Sequence, residues 1–117
     1  MIEHLKTFKR FDVVVVPFPF TDQKNSKNRP ALVISSQEAF NDVIGHSVLA
    51  MITSSEHVEW PLDANITQLE KAGLTRPSKI RFKLFTIDHT LIKSKIGHLS
   101  PTDVKRVAKH LAKLFKD

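Results

Sequence analysis

The hydrophobic residues of this chain fall into short runs that are separated by polar loops. Residues 11–20 are rich in valine and phenylalanine at both odd and even positions, which predicts a strand that is buried on both faces. Residues 30–36 and 47–53 form shorter runs that predict two further strands. Weaker strands are expected at about residues 59–61 and 78–85. The pattern therefore predicts a fold built mainly from β-structure.

The C-terminal segment has the pattern of an amphipathic helix at about residues 102–115. Ser100 can cap its first turn, Pro101 suits the first helical position, and Asp103 lies where the helix dipole favours an acid. A basic side of this helix is expected to face solvent. The opposite, apolar side is expected to pack on the sheet and comprises Val104, Val107, Ala108, Leu111, Leu114 and Phe115.

Short strands followed by one helix predict a small, strongly bent sheet or barrel. One helical turn closed by Gly73 is expected at residues 67–73. Alternating βαβ units are absent, which argues against a Rossmann or P-loop domain. The sequence shows no internal repeat, low-complexity tract or linker, so residues 1–117 are expected to form a single domain.

The charge of the chain is positive, with 18 Lys and Arg against 12 Asp and Glu and a net charge of +6. Part of the excess lies in a stretch without acids that contains Arg76, Lys79, Arg81 and Lys83. Residues 89–117 add seven bases against two acids. Such a domain attracts polyanions, which means either nucleic acid or an acidic protein segment.

Several kinds of chemistry are excluded or disfavoured. The chain has no cysteine, which excludes disulfides, thiolate zinc sites and cysteine nucleophiles. His57 and Glu59 match half of a zinc deaminase signature, but its cysteines cannot be supplied. The six histidines are scattered, and no HExxH, Walker A or G-x-G-x-x-G motif occurs. We therefore expect no metal and no cofactor.

The sequence shows neither a membrane span nor a secretion signal. No apolar run approaches the roughly 18 residues of a membrane span. Residues 1–10 mix charged and apolar residues and do not resemble a signal peptide. We expect a cytoplasmic protein without membrane contact.

Three segments together resemble one known family. They are residues 14–22 (VVVPFPFTD), residues 28–35 (NRPALVIS) and residues 51–55 (MITSS). Their order and spacing are similar to those of the PemK branch of the MazF family of toxins from type II toxin–antitoxin systems. The likeness continues through WPL at residues 60–62 and covers roughly residues 10–115.

This resemblance implies an SH3-like barrel of short antiparallel strands with a C-terminal helix. It also implies a homodimer, a cognate antitoxin as partner, and metal-independent cleavage of single-stranded RNA. In the family, the arginine of the R-P motif and the threonine of the T-S motif act at the scissile phosphate. The matching residues are Arg29 and Thr53.

The chemistry is consistent with these residue types. RNA supplies its own nucleophile, the 2′-OH, so the protein must hold the phosphate in line and stabilise the charge that develops on its oxygens. An arginine fork can bind two phosphate oxygens, and the hydroxyl of Thr53 can donate to the phosphate or relay a proton. Ser54 is a candidate second donor. The general base stays open, because His57 and Glu56 are also compatible with plain loop residues.

The remaining candidate residues are expected to bind RNA, with unstacked bases held between loops and phosphates held by cations. One departure from the family concerns the strand at residues 78–85, where many members carry an acid shortly after the arginine and this chain has Lys83. We therefore expect Arg81 to contact the RNA backbone. The RNA-binding candidates are Thr21, Asp22, Lys24, Lys27, His57, Arg81 and Lys83, and Phe20 is a possible stacking face.

Two alternatives have no catalytic role. One is a barrel that inhibits a protein target in the manner of CcdB, and the other is a barrel that only binds nucleic acid. The combination of Arg29 and Thr53 disfavours the first. The antitoxin is expected to be partly disordered, with an acidic and apolar segment that crosses a basic groove.

Overall fold

The structure is a computed structural model that describes residues 6–18 and 27–117. Within these residues, six strands form one curled antiparallel sheet in the order β4-β5-β3-β2-β1-β6. The strands are β1 (Asp12–Pro17), β2 (Asn28–Val33), β3 (His46–Ser54), β4 (Ala64–Asn65), β5 (Ser78–Asp88) and β6 (Ser94–His98). The helices are α1 (Asp42–Ile44), which continues a π-helical turn at Gln37–Asn41, and α2 (Pro101–Leu114); His89–Leu91 form a 3₁₀ turn.

The predicted mainly β fold with a C-terminal helix is confirmed, and most of the predicted strands are present. β1, β2, β3 and β5 correspond to the runs at residues 11–20, 30–36, 47–53 and 78–85. The strand expected at residues 59–61 is wrong: those residues belong to a loop, and the short strand β4 begins at Ala64.

The strand β1 is buried on both faces, as its sequence predicts. Val13 packs into a core cluster on one face of the sheet together with Leu32 and Ala50. Its neighbour Val14 packs into a second cluster on the other face with Val33 and other buried residues. Adjacent residues of a strand point to opposite faces, so this single strand contributes to both cores.

The last strand, β6, was not predicted because its sequence, SKIGH, carries little apolar character. It lies at the edge of the sheet and pairs with β1. The buried carboxylate of Asp12 accepts a hydrogen bond from Nδ1 of His98 at 2.9 Å and lies 3.6 Å from Nζ of Lys95. Gly97 is required here, since a Cβ at this position would lie 2.4 Å from the carbonyl carbon of Ala72. This strand is therefore stabilised by polar contacts and by close backbone approach, and not by apolar packing.

The helix α2 packs on the sheet as predicted, with Val107 and Leu111 buried in the first core cluster. Ser100 caps it by accepting a hydrogen bond from the N–H of Asp103. The predicted apolar side is too long, because Leu114 and Phe115 are exposed, the latter to 70%. The contact with the core therefore ends one turn before the helix does. None of the helices that the structure describes is long and apolar enough to cross a membrane.

Asp103 joins α2 to the turn at residues 67–73, which ends with Gly73 in the left-handed conformation. Its buried carboxylate accepts hydrogen bonds from the backbone N–H groups of Thr67 and Gln68, from the Thr67 hydroxyl, and from Arg106. Burial by itself raises the pKa of Asp103, but the hydrogen bonds from Thr67, Gln68 and Ser100 outweigh it, and the pKa is lowered. The charged form is therefore the one that the fold stabilises.

Replacing Asp103 with asparagine should destabilise the protein by about 3 kcal/mol at neutral pH, because an amide cannot accept all of these hydrogen bonds. The lowered pKa sets the sign of the pH dependence: the stabilisation is present above the unfolded-state value of 3.8 and is lost as the pH falls through the folded-state value. Urea unfolding at pH 7 and at lower pH values should show that the gap in unfolding free energy between wild type and variant becomes smaller in acid. Asp117→Asn, at an exposed site, is the control, and a gap that does not change with pH would contradict this account.

Candidate active site

Arg29 and Thr53 lie on neighbouring strands at the same end of the sheet. β2 pairs with β3 so that Ala31 faces Met51 and Leu32 faces Ala50. Extended by two residues beyond these pairs, the same register would set Arg29 opposite Thr53. Residues opposite each other in an antiparallel pair project from the same face. The two predicted catalytic residues thus lie towards the same end of two adjacent strands, although they are far apart in sequence.

Arg29 has an unsatisfied hydrogen-bonding group. The residue is half-buried, and its Nε is the one buried side-chain nitrogen or oxygen without a hydrogen-bond partner among the residues that the structure describes. A buried donor of this kind costs roughly 1–3 kcal/mol when it is left unpaired, and more when the group is charged. This environment favours an anionic ligand that can accept a hydrogen bond from Nε of the guanidinium.

Thr53 is 7% exposed and its hydroxyl is in contact with a histidine. Oγ1 of Thr53 lies 2.6 Å from Nδ1 of His57, a residue on the exposed turn that follows β3. The backbone N–H of His57 donates to the carbonyl of Ser54 at 3.1 Å, which closes this turn. The turn thus folds the imidazole back onto the end of the strand.

A buried group of charges fixes the loop that carries His57. Nζ of Lys79 donates to the carbonyl of His57 at 2.6 Å and lies 3.3 Å from a carboxylate oxygen of Asp63. The Lys79 side chain is 2% exposed and that of Asp63 is 1% exposed. Arg81 binds the same carboxylate at 2.9 Å. Burial raises the pKa of Asp63, but hydrogen bonds from Arg81, the backbone of Trp60 and Lys79 outweigh it, so the pKa is lowered.

Arg81 is therefore not the free surface cation that the sequence predicted. Besides Asp63 it binds the carbonyl of Val58 at 2.5 Å, and its guanidinium lies 4.6 Å from the centroid of the Trp60 ring. Contact with an RNA backbone would have to compete with these partners. The acid that pairs with Arg81 is Asp63, which comes from the loop and not from β5.

Other predicted residues do not join this group or cannot be placed. Ser54 follows Thr53 directly and so points to the opposite side of the strand, where its hydroxyl accepts the N–H of Glu56 at 3.2 Å. Lys27 is exposed just before β2, and Lys83 is half-buried on β5. Thr21, Asp22, Lys24 and Phe20 lie outside the described residues. Among those that are described, no group of three or more His, Asp or Glu side chains is placed to hold a metal ion.

The sequence did not reveal the buried charges or the contact between Thr53 and His57. Lys79 and Arg81 alternate with Ile80 on β5 and therefore looked like the solvated face of a half-buried strand. The loop from Ser55 to Asp63 covers that face instead. Thr53 and His57 are only four residues apart, but this spacing indicates a contact only once the turn after β3 is known.

Comparison with known proteins identifies the family to which this chain belongs. The fold, a curled antiparallel sheet with a C-terminal helix, defines a class of small, mainly β proteins, and Arg29 and Thr53 lie on its two central strands. The sequence model of the PemK-like, MazF-like toxins of type II toxin–antitoxin systems matches residues 9–115. The chain belongs to this family.

Solved structures of the same fold agree with that assignment. MazF from Deinococcus radiodurans has a TM-score of 0.70 with 19% identity over 93% of this chain and 96% of that one. The toxin MazF-mt6 of Mycobacterium tuberculosis has a TM-score of 0.70 with 18% identity over 89% and 95%. An endoribonuclease from a mycobacterial species, in complex with its cognate antitoxin, has a TM-score of 0.71 with 14% identity over 90% and 91%. At these identities the likeness establishes the fold. No curated protein sequence is significantly similar to this chain.

Proposed function

We propose that this protein is an mRNA interferase toxin, a sequence-specific endoribonuclease that cleaves single-stranded RNA without a metal ion. Attack of the 2′-OH on the neighbouring phosphate would leave a 2′,3′-cyclic phosphate and a 5′-OH. The observation that carries the proposal is the buried Nε of Arg29, which has no hydrogen-bond partner among the described residues and belongs to the strand adjacent to that of Thr53. A phosphate between them would give the guanidinium the acceptor that it lacks.

The two side chains supply what this reaction requires. Negative charge grows on the non-bridging oxygens of the phosphate in the transition state, and the fork of Arg29 can donate to two of them. One preorganised donor of this type contributes roughly 3–4 kcal/mol in comparable sites. Thr53 is fixed by its β-branch and by the contact with His57, so its hydroxyl is held in a defined direction.

The rest of the RNA would be held by the basic surface. The net charge of +6 favours association with a polyanion, and Lys27 is exposed next to Arg29. Lys83, His57, Thr21, Asp22 and Lys24 stay predicted RNA contacts, and Ser54 stays a predicted second donor. Arg81 supports the loop through Asp63, and we give it no direct role in binding phosphate.

An antitoxin is the proposed protein partner. The mycobacterial endoribonuclease of the same fold was solved in complex with its cognate antitoxin. An acidic, partly disordered segment from such a partner would fit the charge of this chain and cover Arg29 and Thr53. A homodimer is proposed from the family resemblance.

The decisive test is incubation of purified protein with a long single-stranded RNA in the presence of EDTA. We expect discrete cleavage products that begin with a 5′-OH and end in a 2′,3′-cyclic phosphate. Binding without cleavage would show a nucleic-acid-binding barrel instead. Absence of both binding and cleavage would favour an inhibitor of a protein target, and either result would refute the proposed activity.

A further inference from the structure

His57 is the titratable side chain that touches the predicted catalytic threonine. Its Nδ1 lies 2.6 Å from Oγ1 of Thr53, while the residue as a whole is exposed. A histidine that is bonded to a buried hydroxyl and open to solvent can exchange protons with both. The geometry fits an imidazole that accepts the threonine proton at Nδ1, which requires the neutral tautomer with its hydrogen on Nε2.

The position of this imidazole is fixed by the buried charges. Lys79 reaches the carbonyl of His57 at 2.6 Å, and its charge is paired with carboxylate oxygens of Asp63 and Glu59, each at 3.3 Å. A lysine that is 2% exposed is stable only when its charge is paired and its donors are used. Removal of Lys79 would release the backbone of His57 while Asp63 stayed paired with Arg81.

Three further contacts hold the same loop. Arg81 donates to the carbonyl of Val58, and Asp63 accepts the N–H of Trp60 at 2.9 Å. Nδ1 of His110 on α2 lies 2.9 Å from the carbonyl of Leu62. The loop is thus anchored to both β5 and α2 over its whole length. A loop serving only as a connection between β3 and β4 would not need a buried lysine aimed at the carbonyl of an exposed histidine.

We infer that His57 is the general base of the reaction, acting through Thr53, and that Lys79 is its positioning residue. The inference rests on the proposed ribonuclease function. As the 2′-oxygen bonds to phosphorus, its proton passes to Oγ1 of Thr53 and the threonine proton passes to Nδ1 of His57. The bond from phosphorus to the 5′-oxygen breaks, and a water molecule protonates that oxygen. The hydroxide that remains removes the proton from His57, so no net proton is consumed.

The first test uses His57→Gln on a short RNA that carries the mapped cleavage site. General-base catalysis contributes about 10²–10⁴-fold, so kcat/KM should fall by at least about 100-fold while affinity for the 2′-deoxy substrate is retained. His46→Gln is the matched control, because His46 lies on the same strand at the opposite end from Thr53. An unchanged rate for His57→Gln would overturn the assignment.

A second substrate separates a general base from a general acid. RNA with sulfur in place of the 5′-bridging oxygen has a leaving group that needs no protonation. If His57 is the base, the loss in His57→Gln persists on this substrate. Recovery of the wild-type rate would make His57 an acid and overturn the inference. If wild type cleaves and Arg29→Ala does not, but His57→Gln is fully active, the proposed function stands and only this inference fails.

Lys79 is tested through its coupling to His57. Lys79→Met should lower cleavage, but in the His57→Gln background it should lower it no further, because both changes remove the same function. Lys79→Gln can still donate to the carbonyl of His57 and should retain more activity than Lys79→Met; it also serves if the methionine variant does not fold. Losses that multiply in the double variant would show a general structural role and refute the positioning role.

Discussion

Replacing Arg29 with alanine should lower the rate of RNA cleavage by roughly 10²–10³-fold, the loss expected for one preorganised donor at a developing charge. Its Nε has no protein partner among the described residues, so the variant breaks no hydrogen bond there and should fold. Thermal unfolding checks the fold, and single-turnover cleavage gives the rate. Arg76→Ala is the matched control, because it removes the same charge from an exposed position. Full activity of Arg29→Ala would exclude this residue from the site.

Two companion variants identify which property of the site matters. Arg29→Lys keeps the charge but loses the planar fork, so it should recover only part of the lost rate. Thr53→Val keeps the shape of the side chain and removes the hydroxyl that contacts His57. A loss comparable to that of Arg29→Ala would assign the effect of Thr53 to hydrogen bonding. A fully active Thr53→Val would leave the hydroxyl without a function in the reaction.

A single 2′-deoxy nucleotide at the cleaved step should abolish cleavage altogether, because the nucleophile itself is then missing. Binding should be nearly unchanged, since most of the contacts are made to phosphates and bases. Gel analysis of the cleavage products and a fluorescence titration measure the two quantities on the same oligonucleotide. The control carries the deoxy substitution one step away from the cleaved phosphate. Cleavage of the first substrate at the normal rate would eliminate attack by the 2′-OH.

The parts of the fold that were predictable are those in which apolar packing dictates structure. β1 has a long apolar run and α2 has a clear apolar side with a cap at Ser100; the ends of α2 were predicted within one residue and those of β1 within three. β6 was not predicted because it is stabilised by polar contacts with Asp12 and by the close backbone approach that Gly97 permits. Neither feature produces a periodic pattern of apolar residues in the sequence. Such contacts depend on residues that only the folded chain brings together.

The candidate site, too, was predictable from the sequence only in part. Arg29 and Thr53 were predicted from motifs, and the pairing of β2 with β3 brings the two separate motifs onto adjacent strands. Lys79 and Asp63 were not found, because a charged residue in a strand is normally solvated and nothing in the sequence marks a loop as its cover. Predicting them would have required knowing that a loop covers the face of the sheet on which the Lys79 side chain lies. The burial of Arg81 against Asp63 was not predicted for the same reason.

The order of the strands has a consequence for how the chain is made. β1 is synthesised early, yet one of its two neighbours is β6, and Asp12 and His98 are 86 positions apart. Until β6 and α2 leave the ribosome, Val13 and its neighbours have no complete cover. Contacts between distant segments also form slowly. A nascent chain that stops before Ser94 would leave one edge of β1 unpaired and part of the apolar core exposed, so we expect it to aggregate or to be degraded.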